Sequence, residues 1–231
     1  MQPDGGHRQA GNDHRAGKQR ERGIALARKD AAAAIGTFAQ EVVVCQRRNA
    51  DAARRFEAIM AVNLVGAAGV AESFPGVLEP GGAGLFISSS AAHMQDAPAP
   101  LFPLLDNPLA PGFIAALADR LGAQADANQA YALSKAGLNR MCRRLAPAWG
   151  RRGLRIVSLS PGLIASPQGA EAYKHSAGKR ALFEAVPLGR ECSMLEIAGV
   201  VDFLASDQAS YMTGTDILVD GGLIAAVRPG V

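Results

Sequence analysis

Tyr131-Ala132-Leu133-Ser134-Lys135-Ala136-Gly137 is the stretch on which the reading of this chain turns. Tyr131 and Lys135 stand four residues apart. On a helix that spacing stacks both side chains on one face, about 5–6 Å apart at Cβ. The segment Asn128 to Gly150 is dominated by alanine, leucine and arginine, which predicts such a helix. A tyrosine alone is a poor proton donor or acceptor at neutral pH, with an ordinary pKa of about 10. A neighbouring ammonium favours the phenolate and brings proton exchange with a substrate oxygen within reach of neutral pH. The bland alternative is a half-buried tyrosine above a surface lysine, and the spacing by itself does not choose.

The flanking sequence does. Gly84-Leu85-Phe86-Ile87-Ser88-Ser89-Ser90 is an apolar run ending in hydroxyls. It predicts a buried parallel strand with serines at its carboxyl end, where open α/β sheets bind ligands. A serine there can hydrogen-bond a carbonyl oxygen and orient it; otherwise the three serines only make a turn. Downstream, Leu154 to Leu159 predicts a second strand, followed by the tight turn Ser160-Pro161-Gly162-Leu163-Ile164-Ala165-Ser166. Thr215-Asp216-Ile217-Leu218-Val219 predicts a last strand, stopped at Asp220-Gly221-Gly222. Each piece is weak; their order is informative, and it points to hydride transfer on an alcohol or a ketone.

In that order the motifs resemble the short-chain dehydrogenase/reductase family, from about Phe56 to the C-terminus. The matching residues are Asn63 in Val62-Asn63-Leu64-Val65-Gly66, Ser89, Tyr131 with Lys135, Pro161-Gly162 and Asp220-Gly221-Gly222. Similarity to the hydroxysteroid dehydrogenase/carbonyl reductase branch shows in Ala148-Trp149-Gly150, Pro187-Leu188-Gly189-Arg190, Ala209-Ser210-Tyr211 and Arg228-Pro229. The resemblance implies a Rossmann-like, doubly wound parallel α/β sheet. It implies NAD(P)-dependent interconversion of secondary alcohols and ketones, with a steroid or another small apolar carbonyl compound as substrate. Tyr131 would be the general acid–base. Lys135 would hold the nicotinamide ribose and ease deprotonation of Tyr131. Ser89 would orient the substrate oxygen, and Asn63 would anchor a water chain to Lys135. Pro161, Gly162, Leu163 and Ile164 would line the nicotinamide carboxamide, with Ser166 where the family often has threonine. NAD is favoured over NADP. A homodimer or homotetramer is expected, paired through the helices that carry Asn63 and Tyr131. Ser89 and Tyr131 lie further apart than is common in the family. The extra stretch, residues 98–127, contains an amphipathic helix near Phe113 to Leu121 and suits a lid or a subunit contact.

Length and composition agree with one globular domain: 231 residues, 48% hydrophobic and 19% charged. A net charge of +3 does not call for nucleic acid. Cys45, Cys142 and Cys192 are widely spaced, with no C-x-x-C and no metal-ligand spacing. They read as free thiols in a reducing, cytoplasmic setting without a metal. No apolar stretch approaching membrane-crossing length and no secretory leader is expected from the sequence, and no membrane partner.

The opening of the chain fits none of this. Residues 1–55 hold 11 of the 24 Lys and Arg but only 6 of the 21 Asp and Glu. Residues 1–40 read as an atypical basic segment, disordered at least to Glu21. The domain itself begins at about residue 41, with a strand at Glu41-Val42-Val43-Val44-Cys45. Family members open with a strand and a Thr-Gly-x-x-x-Gly-x-Gly loop, whose glycines let backbone approach a pyrophosphate. Gly5-Gly6 and Gly11 have no strand before them and make no such loop. The first βαβ unit is therefore expected to be missing. A displaced reading frame over residues 1 to about 50 would explain that, as would a variant that has lost its cofactor. The second explanation leads to a rival function, an oligomerising partner without catalysis.

Overall fold

The computed structural model describes residues 41–44, 56–94, 96–165 and 177–230. Strand β2, Ala83–Ile87, lies inside the sheet, and its Ala-Gly-Leu-Phe-Ile run is buried with no polar alternation. That is the pattern of a parallel strand covered on both faces. Strand β1, Glu41–Val44, pairs along one side, with Glu41 opposite Ala83 and Val44 opposite Phe86. Strand β3, Arg155–Pro161, pairs along the other, with Ala83 opposite Arg155 and Ile87 opposite Leu159. Strand β4, Asp216–Val219, adds beyond β3, with Ser158 opposite Asp216. All four run parallel in the order β1-β2-β3-β4, a Rossmann-like α/β sheet. The expected loss of a first βαβ unit concerns residues outside those described.

Successive β2 residues face opposite sides of the sheet. Gly84 faces helix α4, Ala127–Gly150: a Cβ there would come within 2.6 Å of the Trp149 ring. Glycine is needed at that position because the helix crosses so close. Leu85 faces helix α6, Met194–Ala205, and joins Val157, Leu159 and Leu204 in a core that Ile197, Val200, Val201 and Ile217 close over. Helix α4 starts where Asp126 accepts hydrogen bonds from the amides of Asn128 and Gln129, both at 2.8 Å. That cap sets the helix start at Ala127, close to the expected Asn128.

Helix α1, Phe56–Gly76, is long and apolar enough by length and composition to cross a membrane, which corrects the sequence expectation. Its Phe56, Ile59, Met60, Leu64, Ala67, Ala68 and Ala71 are buried, and it packs on α4, so it is a core helix of this fold. Residues 98–127 contain the short helix α2, Phe102–Leu105, and helix α3, Phe113–Leu121. Their Leu101, Leu105, Phe113 and Leu117 are buried within the chain, and α2 and α3 pack on α4 and α1. Arg140 of α4 fastens the insert by lying 3.7 Å from the Phe102 ring centroid and gripping Asp106 with bonds of 2.9 and 2.6 Å. Helices α5, Ala177–Glu184, and α7, Leu223–Val227, complete the α-helices of the described residues.

Candidate active site

The sequence alone allows Lys135 to be a surface lysine; the fold buries it. Its side chain is on α4, the residue is 4% exposed, and Nζ donates to the Ile87 carbonyl at 2.8 Å. Its ammonium lies 5.8 Å from the centroid of the Tyr131 ring, one turn earlier. Ser88 Oγ in turn donates to the Lys135 carbonyl at 3.3 Å. These bonds tie α4 to the carboxyl end of β2, beside Ser89.

Of the three serines, Ser88 and Ser90 are buried and Ser89 is partly exposed. Ser89 Oγ accepts from the Ala91 amide at 3.2 Å and caps a single 3-10 turn, Ser90–His93. Its hydroxyl therefore still has a proton to donate.

Asn63 sits at the middle of a π-helical turn, Ala61–Val65, within α1. Such turns widen a helix by one residue and often mark functional positions. Asn63 is 5% exposed, and Nδ2 donates to Ser134 Oγ at 3.2 Å, while Ser134 Oγ donates to the Tyr131 carbonyl at 2.8 Å. The amide thus reaches the residue next to Lys135. Ser134 lies within the quoted motif yet has no local signal of this partnership.

Pro161 ends β3, and the Gly162 amide donates to the Val219 carbonyl at 2.9 Å. A Cβ on Gly162 would meet Asp220 Cα at 2.7 Å, so only glycine lets the two chain segments pass. The Cys192 amide then donates to the Leu163 carbonyl at 2.9 Å and the Ala165 amide to the Cys192 carbonyl at 2.8 Å, which sets Ile164 beside Cys192. Ser166 lies outside the described residues. Asp220 accepts from the amides of Gly222 and Ile224, at 2.9 and 2.7 Å, so the Asp-Gly-Gly motif caps α7. A cavity of about 270 Å³ opens beside Leu163, walled by Val186, Leu188, Val200 and Val219. Asn63, Ser89, Tyr131 and Lys135 do not line it.

The sheet brings the ends of β2 and β3 together, with Asn63, Ser89, Tyr131 and Lys135 arranged around the first and Pro161 to Ile164 at the second. A family model described as Enoyl-(Acyl carrier protein) reductase matches residues 113–224. A 3-alpha-hydroxysteroid dehydrogenase/carbonyl reductase of Comamonas testosteroni is 33% identical over 182 residues, which are 74% of this chain and 67% of that protein. This chain belongs to the short-chain dehydrogenase/reductase family.

Among solved structures, the 3-alpha-hydroxysteroid dehydrogenase from Pseudomonas sp. B-0831, complexed with NADH, matches this short-chain dehydrogenase/reductase with a TM-score of 0.71 and 27% identity. The match covers 91% of this chain and 82% of that one. The short-chain type dehydrogenase/reductase y4vI of Sinorhizobium fredii is 37% identical over 178 residues, 76% of this chain. The chain spans only 27% of y4vI, and 36% of 3beta-hydroxysteroid dehydrogenase 1 of Eggerthella lenta. What the sequence reading missed is a second polar cluster, in which His93, Asn139, Ser160 and Asp216 meet behind the Ser89 turn.

Proposed function

We propose that this short-chain dehydrogenase/reductase is an NAD(P)-dependent oxidoreductase that interconverts secondary alcohols and ketones, with steroid-like apolar carbonyl compounds as the substrate class. The observation that carries the reading is the buried Lys135 ammonium, bonded to the Ile87 carbonyl and 5.8 Å from the Tyr131 ring. A buried ammonium on an apolar helix face is costly unless its charge is used or fully satisfied.

The donor set suits the nicotinamide-ribose end of such a cofactor. Lys135 offers an ammonium, and Tyr131 a hydroxyl, at the carboxyl ends of parallel strands. Pro161, Gly162, Leu163 and Ile164 would hold the carboxamide. The dinucleotide supplies the hydride when bound. In ketone reduction, Tyr131 would give its phenolic proton to the substrate oxygen, with the Lys135 charge favouring the phenolate left behind. Ser89 would donate its hydroxyl proton as a hydrogen bond to the same oxygen and fix its direction. Asn63, held on Ser134, would support return of a proton toward Lys135. NAD over NADP, a homodimer or homotetramer, and a cytoplasmic setting belong to the same proposal. So do the boundary near residue 41 and the role of residues 98–127 as a lid or subunit contact. The NADH-bound Pseudomonas relative supports the cofactor class, and the Comamonas and Eggerthella relatives the substrate class.

The test is NAD(P)H oxidation with a panel of apolar ketones, comparing the unmodified protein with Tyr131→Phe. Loss of the phenolic proton is expected to lower kcat by roughly 10²–10⁴-fold, the usual contribution of a positioned acid–base group. Equal turnover would overturn the role of Tyr131. The rival, a non-catalytic partner, is favoured by the absence of a glycine-rich phosphate loop from the sequence. Calorimetric titration with NADH and NADPH separates the two, since binding by either nucleotide excludes the rival.

A further inference from the structure

Two buried side-chain oxygens in one region lack a hydrogen-bond partner, Asn139 Oδ1 and Asp216 Oδ1. Both belong to side chains that meet His93. Its Nε2 donates to Asp216 Oδ2 at 2.7 Å and lies 3.3 Å from Ser160 Oγ, with the Asn139 amide at 3.5 Å. The Asp216 side chain is 3% exposed. A Ser-His-Asp set invites comparison with a hydrolytic triad, and the geometry rejects it. A triad uses both ring nitrogens, one toward the acid and one toward the serine. Here serine and aspartate share Nε2, and Ser160 is fully buried, so no nucleophile is presented.

The cluster does something else. His93 ends the 3-10 turn that Ser89 begins. Asp216, 123 residues later on β4, grips one end of that turn through the ring. The His93 carbonyl accepts from Arg228 Nη1 at 2.9 Å, and Arg228 Nη2 donates to Asp96 at 2.9 Å. Side chains from β4 and the C-terminal segment thus clamp the few residues after Ser89. An apolar trio would fill this space at lower desolvation cost than a buried carboxylate with an unpartnered oxygen. What directional bonds add is a defined position for the turn.

We propose that His93 is a positioning residue for Ser89, and that Asp216 and Arg228 complete a clasp setting where the Ser89 hydroxyl stands. The catalytic part rests on the oxidoreductase reading above; the structural part does not. The experiment compares His93→Ala, His93→Gln and Arg228→Ala with the unmodified chain. Amide hydrogen exchange is followed without cofactor, and kcat and KM are measured with a ketone that the unmodified protein reduces. In His93→Ala, exchange at residues 90–94 should rise about tenfold or more, the scale of one lost charge-assisted hydrogen bond, while β3 amides stay protected. Turnover should fall about tenfold with KM changed much less. His93→Gln, which keeps an N–H donor, should recover most of both. Arg228→Ala should loosen the same turn without touching the buried cluster. Unchanged exchange at residues 90–94 in His93→Ala and Arg228→Ala overturns the clasp. A rise spread evenly over the sheet, with no recovery in His93→Gln, reduces His93 to general stability and overturns positioning. Absence of turnover in the unmodified protein sinks the oxidoreductase reading, and exchange alone then decides the clasp.

Discussion

Replacing Gly137 by alanine sets two known effects against each other. Gly137 lies in α4, two residues beyond Lys135, and alanine in a helix interior is favoured over glycine by roughly 1 kcal/mol. A Cβ at this position, however, would stand 2.7 Å from Leu64 Cδ2, 3.2 Å from Cδ1 and 3.6 Å from Leu105 Cδ2. A methyl end can move when there is room, but Leu64 and Leu105 are both fully buried. Forcing a methyl into a packed core costs about 1–3 kcal/mol. Gly69, in α1, is the control, because a Cβ there meets nothing within 4 Å. Propensity cancels between the two variants, so their difference reports the clash: about 1–3 kcal/mol, or roughly 3–10 °C in Tm for a domain of this size. Gly69→Ala should melt higher than the unmodified chain and Gly137→Ala lower. Calorimetric melts of both, with urea midpoints as a second measure, provide the assay. The affected leucine adjoins Asn63, so Gly137→Ala should also lower kcat by shifting α1 away from α4. Equal melting temperatures in the two variants would refute the packing described around Lys135.

Other outcomes follow from caps and charges. The Arg155 guanidinium donates to the carbonyls of Leu204, Ala205 and Ser206, at 2.8, 3.2 and 3.4 Å, closing the end of α6. Arg155→Met should cost about 2–3 kcal/mol and lower Tm by roughly 5–10 °C, because the buried Leu204 carbonyl and the partly buried carbonyls after it lose a charged partner; a shift within 2 °C would contradict this. Ser193 and Glu196 form a capping box at the start of α6, and Ser193→Ala should cost about 1 kcal/mol by urea denaturation. The Glu196 carboxyl is held at about 2, first by the Arg190 guanidinium and then by Ser193. A lowered carboxyl stabilises above its ordinary pKa near 4.3 and loses that contribution as pH falls toward 2. The stability gap between the unmodified chain and Glu196→Gln should therefore be level above pH 5 and close between about pH 4.5 and 2. A gap that widens on acidification would reverse the sign of the coupling.

Much of the fold was legible because its rules are local. The apolar Gly84 to Ile87 run and the alanine-rich helix after Asp126 declared a parallel strand and a helix through composition and periodicity. The Tyr131–Lys135 pair declared a shared face through its spacing. Boundaries moved where a side chain intervened: Asp126 started α4 one residue early, and β3 extended through Pro161. The apolar length of α1 is less legible locally because Asn63, Gly66 and Gly69 break its run of large apolar residues, although the helix as a whole is apolar enough to cross a membrane. His93 carried no signal, because its partners stand at positions 139, 160 and 216 and only parallel crossovers bring them together.

Residues in fixed order along the chain determined the family, since spacing on one helix and one strand end survives without knowledge of the rest. Tertiary structure alone decided that Lys135 is buried against the Ile87 carbonyl, that Ser89 is the least buried of three adjacent serines, and that Asn63 reaches Ser134 from a widened helical turn. It also decided that the turn carrying Ser89 is held from β4 and from Arg228, 132 residues beyond Asp96. The reason is physical. Helix and strand periodicity is set by neighbours within a few residues, whereas burial and partner choice depend on which distant surfaces the sheet order brings into contact.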